Sequence, residues 1–324
     1  MDDIYFVTGA QGCIGSWVVK TLVERGDLPV VFDRSENAGR LTAIMDRLLI
    51  GRVRFLIGDI TDSRVVGEAL ARSNARHVIH LAGLQVPSCK ANPIAGAMVN
   101  VIGTLNVFEA ARVQGIDRVV YASSAAVFGQ GEDDAPLDES AACEPATHYG
   151  VFKRTNEGNA RVYYLDYGMS SVGLRPLTVY GPGRDTGITS DPTKAMKAAV
   201  IGRSFHIRFG GTTDFQYVAD TAAAFIACAD RAPAGAHVFN LHGDAVEMSE
   251  LIRVVDSQLP RENQGLISFS GPSIPVASAL SDAAIRGAIE GLPNTPLQQG
   301  VRQTIENFTL LRDQGALDTS DIDG

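Results

Sequence analysis

Six short apolar stretches, rich in β-branched residues and mostly closing on Gly, Asp or Ser, recur through the first half of the chain: "IYFVTG" (4–9), "LPVVFD" (28–33), "VRFLIGD" (53–59), "HVIHLAG" (77–83), "RVVYASS" (118–124) and "SSVGLRP" (170–176). Runs that are continuously apolar, not alternating, are what strands buried on both faces of a parallel sheet require. Between them, residues 15–25, 63–72, 95–114 and 149–167 carry apolar side chains at three- and four-residue spacing, which predicts helices. Strand and helix repeated in this order specify an α/β fold, a Rossmann-type doubly wound parallel sheet.

After Arg175 the texture changes. "YGPGRDTGITSDPTKA" (180–195) is loop-rich, with a helix expected near Asp191, where Asp-Pro makes a cap and first-turn pair. "FQYVADTAAAFIACAD" (215–230) reads as a short strand and an alanine-rich helix, and "HVFNLHG" (237–243) as another strand. Helices starting at Met248–Ser249 and Thr295–Pro296 close the chain. The expected division is a dinucleotide-binding domain over 1–175, completed by about 215–245, and a smaller, interleaved C-terminal substrate lobe over 176–214 and 246–324.

The balance of 28 basic against 37 acidic residues, net −9, without a Lys/Arg cluster, argues against nucleic acid as a partner. No uninterrupted apolar run reaches the ~18 residues that suggest a membrane span, and strand-like sequence begins at Ile4, so no membrane partner and a cytoplasmic location are expected. Cys13, Cys89, Cys143 and Cys228 are widely spaced, without C-x-x-C or His pairing, and read as reduced thiols with no metal site.

Thr8-Gly9-Ala10-Gln11-Gly12-Cys13-Ile14-Gly15 lies between the first strand and the first helix. Gly9 permits a tight turn, Gly12 lets the backbone approach a pyrophosphate and Gly15 allows close helix–strand packing, with the helix N-terminus facing the anion. Asp33 ends the second strand. A carboxylate there accepts hydrogen bonds from an adenosine ribose diol and repels a 2′-phosphate, which favours NAD over NADP, although the neighbouring Arg34 could neutralise such a phosphate. Asp59, in "GDITD", either meets the adenine amino group or caps the next helix, and the two roles can be split between Asp59 and Asp62.

Tyr149 and Lys153 are four residues apart, so on a helix they share a face. A phenol, with an ordinary pKa of about 10, is a poor base at neutral pH; an ammonium beside it stabilises the phenolate. Ser124, at the end of the fifth strand, can hydrogen-bond a substrate oxygen beside the tyrosine. The three together suit acid–base work on a secondary alcohol that loses hydride to a nicotinamide. Of the nearby histidines, His80 reads as a buried structural residue and His148 as either a capping or a substrate-side residue.

With "TGAQGCIG", "GDITD", "HLAG", "NVIGTLNVFEAAR", "YASSAAVFG", "YGVFKRTNE", "LRPLTVYGPG", "TDFQYVAD" and "FNLHG" in this order, the chain resembles an extended short-chain dehydrogenase/reductase of the NAD-dependent epimerase/dehydratase family. The resemblance implies Ser124, Tyr149 and Lys153 as the catalytic triad. It implies a cofactor site of Gly9, Gln11, Gly12, Cys13, Ile14, Gly15, Asp33, Arg34, Asp59, Ile60, Leu81, Ala82 and Gly83, with Tyr149 and Lys153 and the backbone from Pro176 to Val179. Asn100 matches a helix asparagine of the family, with helix packing the other reading. The family's habit of pairing helices equivalent to 95–114 and 149–167 implies a homodimer. The reading from another class is a non-catalytic dinucleotide-binding regulatory protein; such relatives usually lack the tyrosine or lysine, and this chain has both.

Two departures narrow the substrate. Where the family's dehydratases carry an acidic residue after the catalytic Ser/Thr, this chain has Ala125 and Ala126, so water elimination lacks its acid. Where nucleotide-sugar epimerases carry a diphosphate-binding arginine before Asp-Phe, this chain has Thr213. Arg184, Lys194, Lys197, Arg203 and Arg208 are the cations that could compensate. The expected substrate is a sugar, sugar acid or related small hydroxylated compound, turned over by a dehydrogenase or an epimerase, with a nucleotide-sugar 4-epimerase as the other reading. Its contacts are expected from Ser124, Ala125, Tyr149 and the loop "GRDTGITSDPTK" (183–194), through Arg184, Thr186 and Ser190; the same loop also reads as a solvated connector capped by Asp191.

Overall fold

The computed structural model describes residues 3–129 and 135–322. Its strands are β1 (Ile4–Thr8), β2 (Leu28–Asp33), β3 (Arg54–Ile57), β4 (His77–His80), β5 (Arg118–Ala122), β6 (Ser170–Arg175), β7 (Thr178–Tyr180), β8 (Phe205–Ile207), β9 (Thr212–Tyr217), β10 (Ala236–Asn240), β11 (Asp244–Glu247) and β12 (Ile267–Phe269). Seven of them form one sheet in the order β10-β6-β5-β4-β1-β2-β3, parallel throughout. The order reverses between β1 and β4, the position at which sheets of this kind bind ligands beyond their strand ends.

Alternate side chains of each central strand enter different cores. Tyr5 and Val7 join Val31, Leu22 and Phe225 on one face, while Phe6 joins Val30, Phe32, Val78 and Phe108 on the other. β3, at the sheet edge, is the exception to the two-sided burial that its sequence suggests: Ile57 is 58% exposed. A third core gathers Val179, Tyr180, Met196, Phe215, Tyr217, Val301 and Phe308 around the small sheet β11-β9-β7, and β12-β8 forms a parallel pair. The helix Val218–Arg231 packs back on helix Cys13–Arg25, and β10 then rejoins the large sheet beside β6.

Several expected starts differ in detail. The helix Met248–Gln258 has Glu247 at its N-cap, and neither it nor Leu297–Asp313 is capped by a side chain; Thr295 instead donates its hydroxyl to Asp220 at 2.9 Å. Asp191 lies inside the first turn of Asp191–Val200, not at its cap, and its buried carboxylate accepts from Arg208 at 2.8 and 2.9 Å. The helical stretch Pro93–Val113, interrupted by a π-helical turn at Met98–Ile102, is long and apolar enough to cross a membrane by length and composition; 44% of it is buried in the fold, including Asn100, Thr104, Val107 and Phe108.

The helix His148–Tyr167 packs against β6 and reaches the end of β5, and an ion pair inside the protein holds it there. Glu157 and Arg175, with side chains 1% and 3% exposed, meet through two bonds of 2.7 and 2.8 Å, and Ser123 donates to the same carboxylate at 2.6 Å. Removing one member of such a pair strands the other charge away from water. Glu157→Ala is therefore expected to cost ~3–5 kcal/mol, read as a lower denaturation midpoint with unchanged slope in urea unfolding.

Candidate active site

The glycine loop is built for close approach. Gly9 has φ +65°, and a Cβ there would lie 2.5 Å from the Ala82 nitrogen; one at Gly15 would lie 2.4 Å from the Gly9 oxygen. Gly12 is the N-cap of Cys13–Arg25 and supplies no side-chain cap, so the first-turn N–H groups face the crevice. Burial pushes the Cys13 thiol up to about 11, which keeps it neutral beside an incoming anion. Ile14 packs sideways into the cores. The Asp33 carboxylate, at the end of β2, accepts from the Gln11 N–H at 3.2 Å and the Arg34 N–H at 2.8 Å, while the Arg34 side chain is exposed. These features fit a dinucleotide: donors without a cap for its pyrophosphate and an acidic acceptor for its ribose.

Asp59 is exposed and accepts from the Thr61 N–H and hydroxyl at 2.8 and 2.7 Å, and these bonds hold its carboxyl below the usual carboxylate range. Asp62 caps the next helix through the Val65 N–H at 3.0 Å. Ile60 is buried against Gly103. Leu81, Ala82 and Gly83 leave β4 beside Gly9, and a Cβ at Gly83 would stand 2.7 Å from Asn100 Oδ1 and 3.5 Å from Lys153 Nζ. The Pro176 carbonyl accepts from the Ala125 N–H at 3.0 Å, and the Val179 side chain lies in the third core.

His80 is structural. Its Nδ1 lies 2.6 Å from the Thr8 hydroxyl and its Nε2 3.0 Å from that of Thr104. Thr104 already donates to the Asn100 carbonyl at 2.6 Å, so the ring's Nε2 carries the proton and Nδ1 accepts from Thr8. Burial lowers its pKa to about 3, and the ring stays neutral. His148 is exposed and stacks on Phe152, with ring centroids 6.1 Å apart; the helix cap is Thr147, whose hydroxyl accepts from the Gly150 N–H at 3.0 Å.

Helix His148–Tyr167 engages three consecutive residues at the end of β5. Tyr149 hydrogen-bonds the Ser124 side chain, Lys153 Nζ donates to the Ala122 carbonyl at 2.7 Å, and Glu157 accepts from Ser123. Residues four apart on one helix face thus meet residues 124, 122 and 123. The sequence expectation that the Lys153 ammonium sets the phenol needs correction. Lys153 Nζ is 5.5 Å from the ring centroid, and burial raises the Tyr149 pKa, opposed first by the Ser124 hydrogen bond and then by the charge of Arg184.

Arg184 donates to the Thr189 hydroxyl at 2.8 Å, and its Nε is buried with no hydrogen-bond partner among the described residues. Thr186 is exposed, whereas the Ser190 hydroxyl is spent on the Gly187 carbonyl at 2.8 Å, so Ser190 offers its loop a tie and not a free donor. Ala125 is buried behind Ser124. Two residues outside the sequence motifs, Arg40 and Gln85, also reach this loop. Arg40 pairs with Asp185, and Gln85 Oε1 sits 2.0 Å from where a Gly187 Cβ would be. No local spacing announces them.

A dinucleotide cradle at the topological switch point, beside a serine, a tyrosine and a buried lysine, defines an NAD-dependent oxidoreductase of the short-chain dehydrogenase/reductase type. The model of the NAD dependent epimerase/dehydratase family matches residues 5–241, and the chain belongs to that family. It is 29% identical to UDP-glucuronate 4-epimerase 4 of Arabidopsis thaliana over 92% of this chain and 74% of the relative. It is likewise 29% identical to the UDP-glucose 4-epimerase of Mycolicibacterium smegmatis, over 93% of this chain and 97% of the relative. Among solved structures, the Thermus thermophilus UDP-glucose 4-epimerase in complex with NAD superposes with a TM-score of 0.81 at 25% identity, covering 94% of this chain and 98% of that one.

Burial lowers the Lys153 pKa from 10.5 to about 8 in the cofactor-free protein. Between these values the unfolded chain holds a proton that the folded chain has released, so this lysine makes stability rise with pH across that window, by on the order of 3 kcal/mol in all. Lys153→Met is expected to flatten the rise, seen by comparing urea unfolding of the two proteins at pH 8 and pH 10.

Proposed function

We propose that this chain oxidises a secondary hydroxyl of a sugar, sugar acid or related small hydroxylated compound, as a dehydrogenase or as an epimerase that returns the hydride to the other face. The observation that carries the reading is the joint attachment of Tyr149 and Lys153 to Ser124 and Ala122 beside the glycine loop. When bound, NAD accepts and donates the hydride. Tyr149 takes the hydroxyl proton, Ser124 holds the same oxygen, and Lys153, held on the Ala122 carbonyl, lines the cofactor side. Asp33 receives the ribose diol, the N-terminus of Cys13–Arg25 the pyrophosphate, and Asp59, Ile60, Leu81, Ala82, Gly83 and the Pro176–Val179 backbone the remaining surface. Residues 176–214 and 246–324 serve as the substrate lobe.

The buried edge of Arg184, directed at the same phenol in its electrostatic effect, favours a substrate bearing a carboxylate. Thr213 supports the absence of a diphosphate: it is 1% exposed and its hydroxyl is held by Thr178 at 2.8 Å. Two of the compensating cations are also engaged, Arg208 by Asp191 and Lys197 by Asp321 at 2.7 Å. The names of the relatives favour the second reading, a nucleotide-sugar 4-epimerase. The pairing face of a homodimer is supplied by exposed Ile94, Met98 and Ile102 on one helical stretch and Val151, Val162 and Leu165 on another. Free thiols and a nicotinamide cofactor suit a cytoplasmic setting.

A panel of sugars, sugar acids and UDP-sugars, followed by NADH absorbance and by product analysis, separates the readings. We expect turnover with a small acid, a loss of about 10²–10⁴ in turnover for Tyr149→Phe, and a raised KM for Arg184→Met. Micromolar binding of UDP by calorimetry would sink the small-substrate reading and leave the 4-epimerase.

A further inference from the structure

The loop from Gly181 to Ser190 spans the crevice from one side to the other. At one end the Trp17 indole donates to the Pro182 carbonyl at 2.9 Å, over the first turns of Cys13–Arg25. At the other, Gly187 lies against Gln85, in the segment that follows β4. The loop turns on three glycines in the left-handed region, Gly181 (φ 127°), Gly183 (φ 91°) and Gly187 (φ 97°). Its adjacent residues Arg184 and Asp185 take opposite partners. Arg184 reaches Thr189 and acts on the Tyr149 phenol, whereas Asp185 is gripped by Arg40 through two bonds of 2.9 and 2.6 Å. The remaining arm of Arg40 donates to the Gln11 carbonyl of the glycine loop at 2.6 Å.

One guanidinium therefore ties the loop over the crevice to the loop that cradles the dinucleotide, and it stands on the short helix Gly39–Ile44 that follows β2. We infer that Arg40 and Asp185 form a clasp that sets how long NAD(H) stays bound, and that through Asp185 the same arginine positions Arg184. This inference rests on the cofactor reading proposed above. Its chemical consequence is the choice between the two outcomes of that reading. Slow release keeps the reduced cofactor with the keto intermediate for hydride return, and fast release lets both depart.

Trp17, the single tryptophan of the chain, gives the optical probe. Protein loaded with NADH is mixed with excess NAD in a stopped-flow instrument, and the loss of energy transfer from Trp17 to NADH is followed. Asp185→Asn and Arg40→Gln are each expected to raise the NADH off-rate by about tenfold, and the double variant by no more than either. Arg40→Lys, which keeps the charge but loses the fork, gives a smaller rise. The charge-exchanged Arg40→Asp/Asp185→Arg protein recovers part of the wild-type rate. Off-rates within twofold of wild type in folded single variants, or additive effects in the double, would overturn the clasp. Failure of wild-type protein to bind NADH at all would instead overturn the cofactor reading.

Discussion

The active site depends first on how one helix is fastened to one strand end. Tyr149, Lys153 and Glu157 lie along a single face of His148–Tyr167, and their polar atoms are taken by Ser124, Ala122 and Ser123. Hydrophobic packing alone would allow the helix to slide or roll by a fraction of a residue with little penalty. Three directional contacts on consecutive residues of the strand end do not. The Glu157–Arg175 pair below them is a poor source of net stability, because desolvating both ions offsets their attraction, but a shifted register would leave both charges buried and unpaired. Specific alignment is thus bought with an expensive interaction placed one turn beyond Lys153.

The electrostatics of the pair Tyr149 and Lys153 follow from this fastening. The lysine is drawn to a backbone carbonyl inside the protein, and burial there weakens its hold on the proton. The tyrosine is raised by burial and lowered by a serine hydroxyl and a cation from the opposite loop. Before a dinucleotide enters, the two groups are therefore tuned by different neighbours, though they sit four residues apart. The positive charge that lowers the phenol comes from Arg184 on the opposite loop, so on the proposed reading an anionic substrate group there would screen the charge that eases deprotonation.

What could be read in the sequence was what is local. The glycine loop, the β-branched strands and the Tyr-x-x-x-Lys spacing express themselves within a turn or a strand, and the structure assembles the parallel sheet that the strands imply. Several of the differences come from partners far apart in the chain. Arg40 and Asp185 are separated by 145 positions, and neither sits in a pattern that would single it out. Asp191 reads as a cap until Arg208 arrives to claim it. The edge position of β3, which exposes Ile57, and the π-helical turn that carries Asn100 also come from packing between elements, not from the periodicity within them.

The cofactor side and the opposite side of the crevice are sterically constrained to different degrees. Gly9 and Gly15 have no freedom, since a Cβ added at either would enter backbone atoms, and this steric limit protects the cradle whatever the substrate becomes. The loop opposite is held by a few side chains and turns on glycines, so its chemistry can change while the sheet does not. Yet this loop presents Arg184 inward and Asp185 toward the cradle on consecutive residues. A change that loosens Asp185 to speed cofactor exchange also frees Arg184, and one that re-aims Arg184 for another substrate strains the clasp. On the proposed reading, substrate affinity and cofactor residence are coupled through one peptide unit, and a dehydrogenase and an epimerase built on this frame would differ first there.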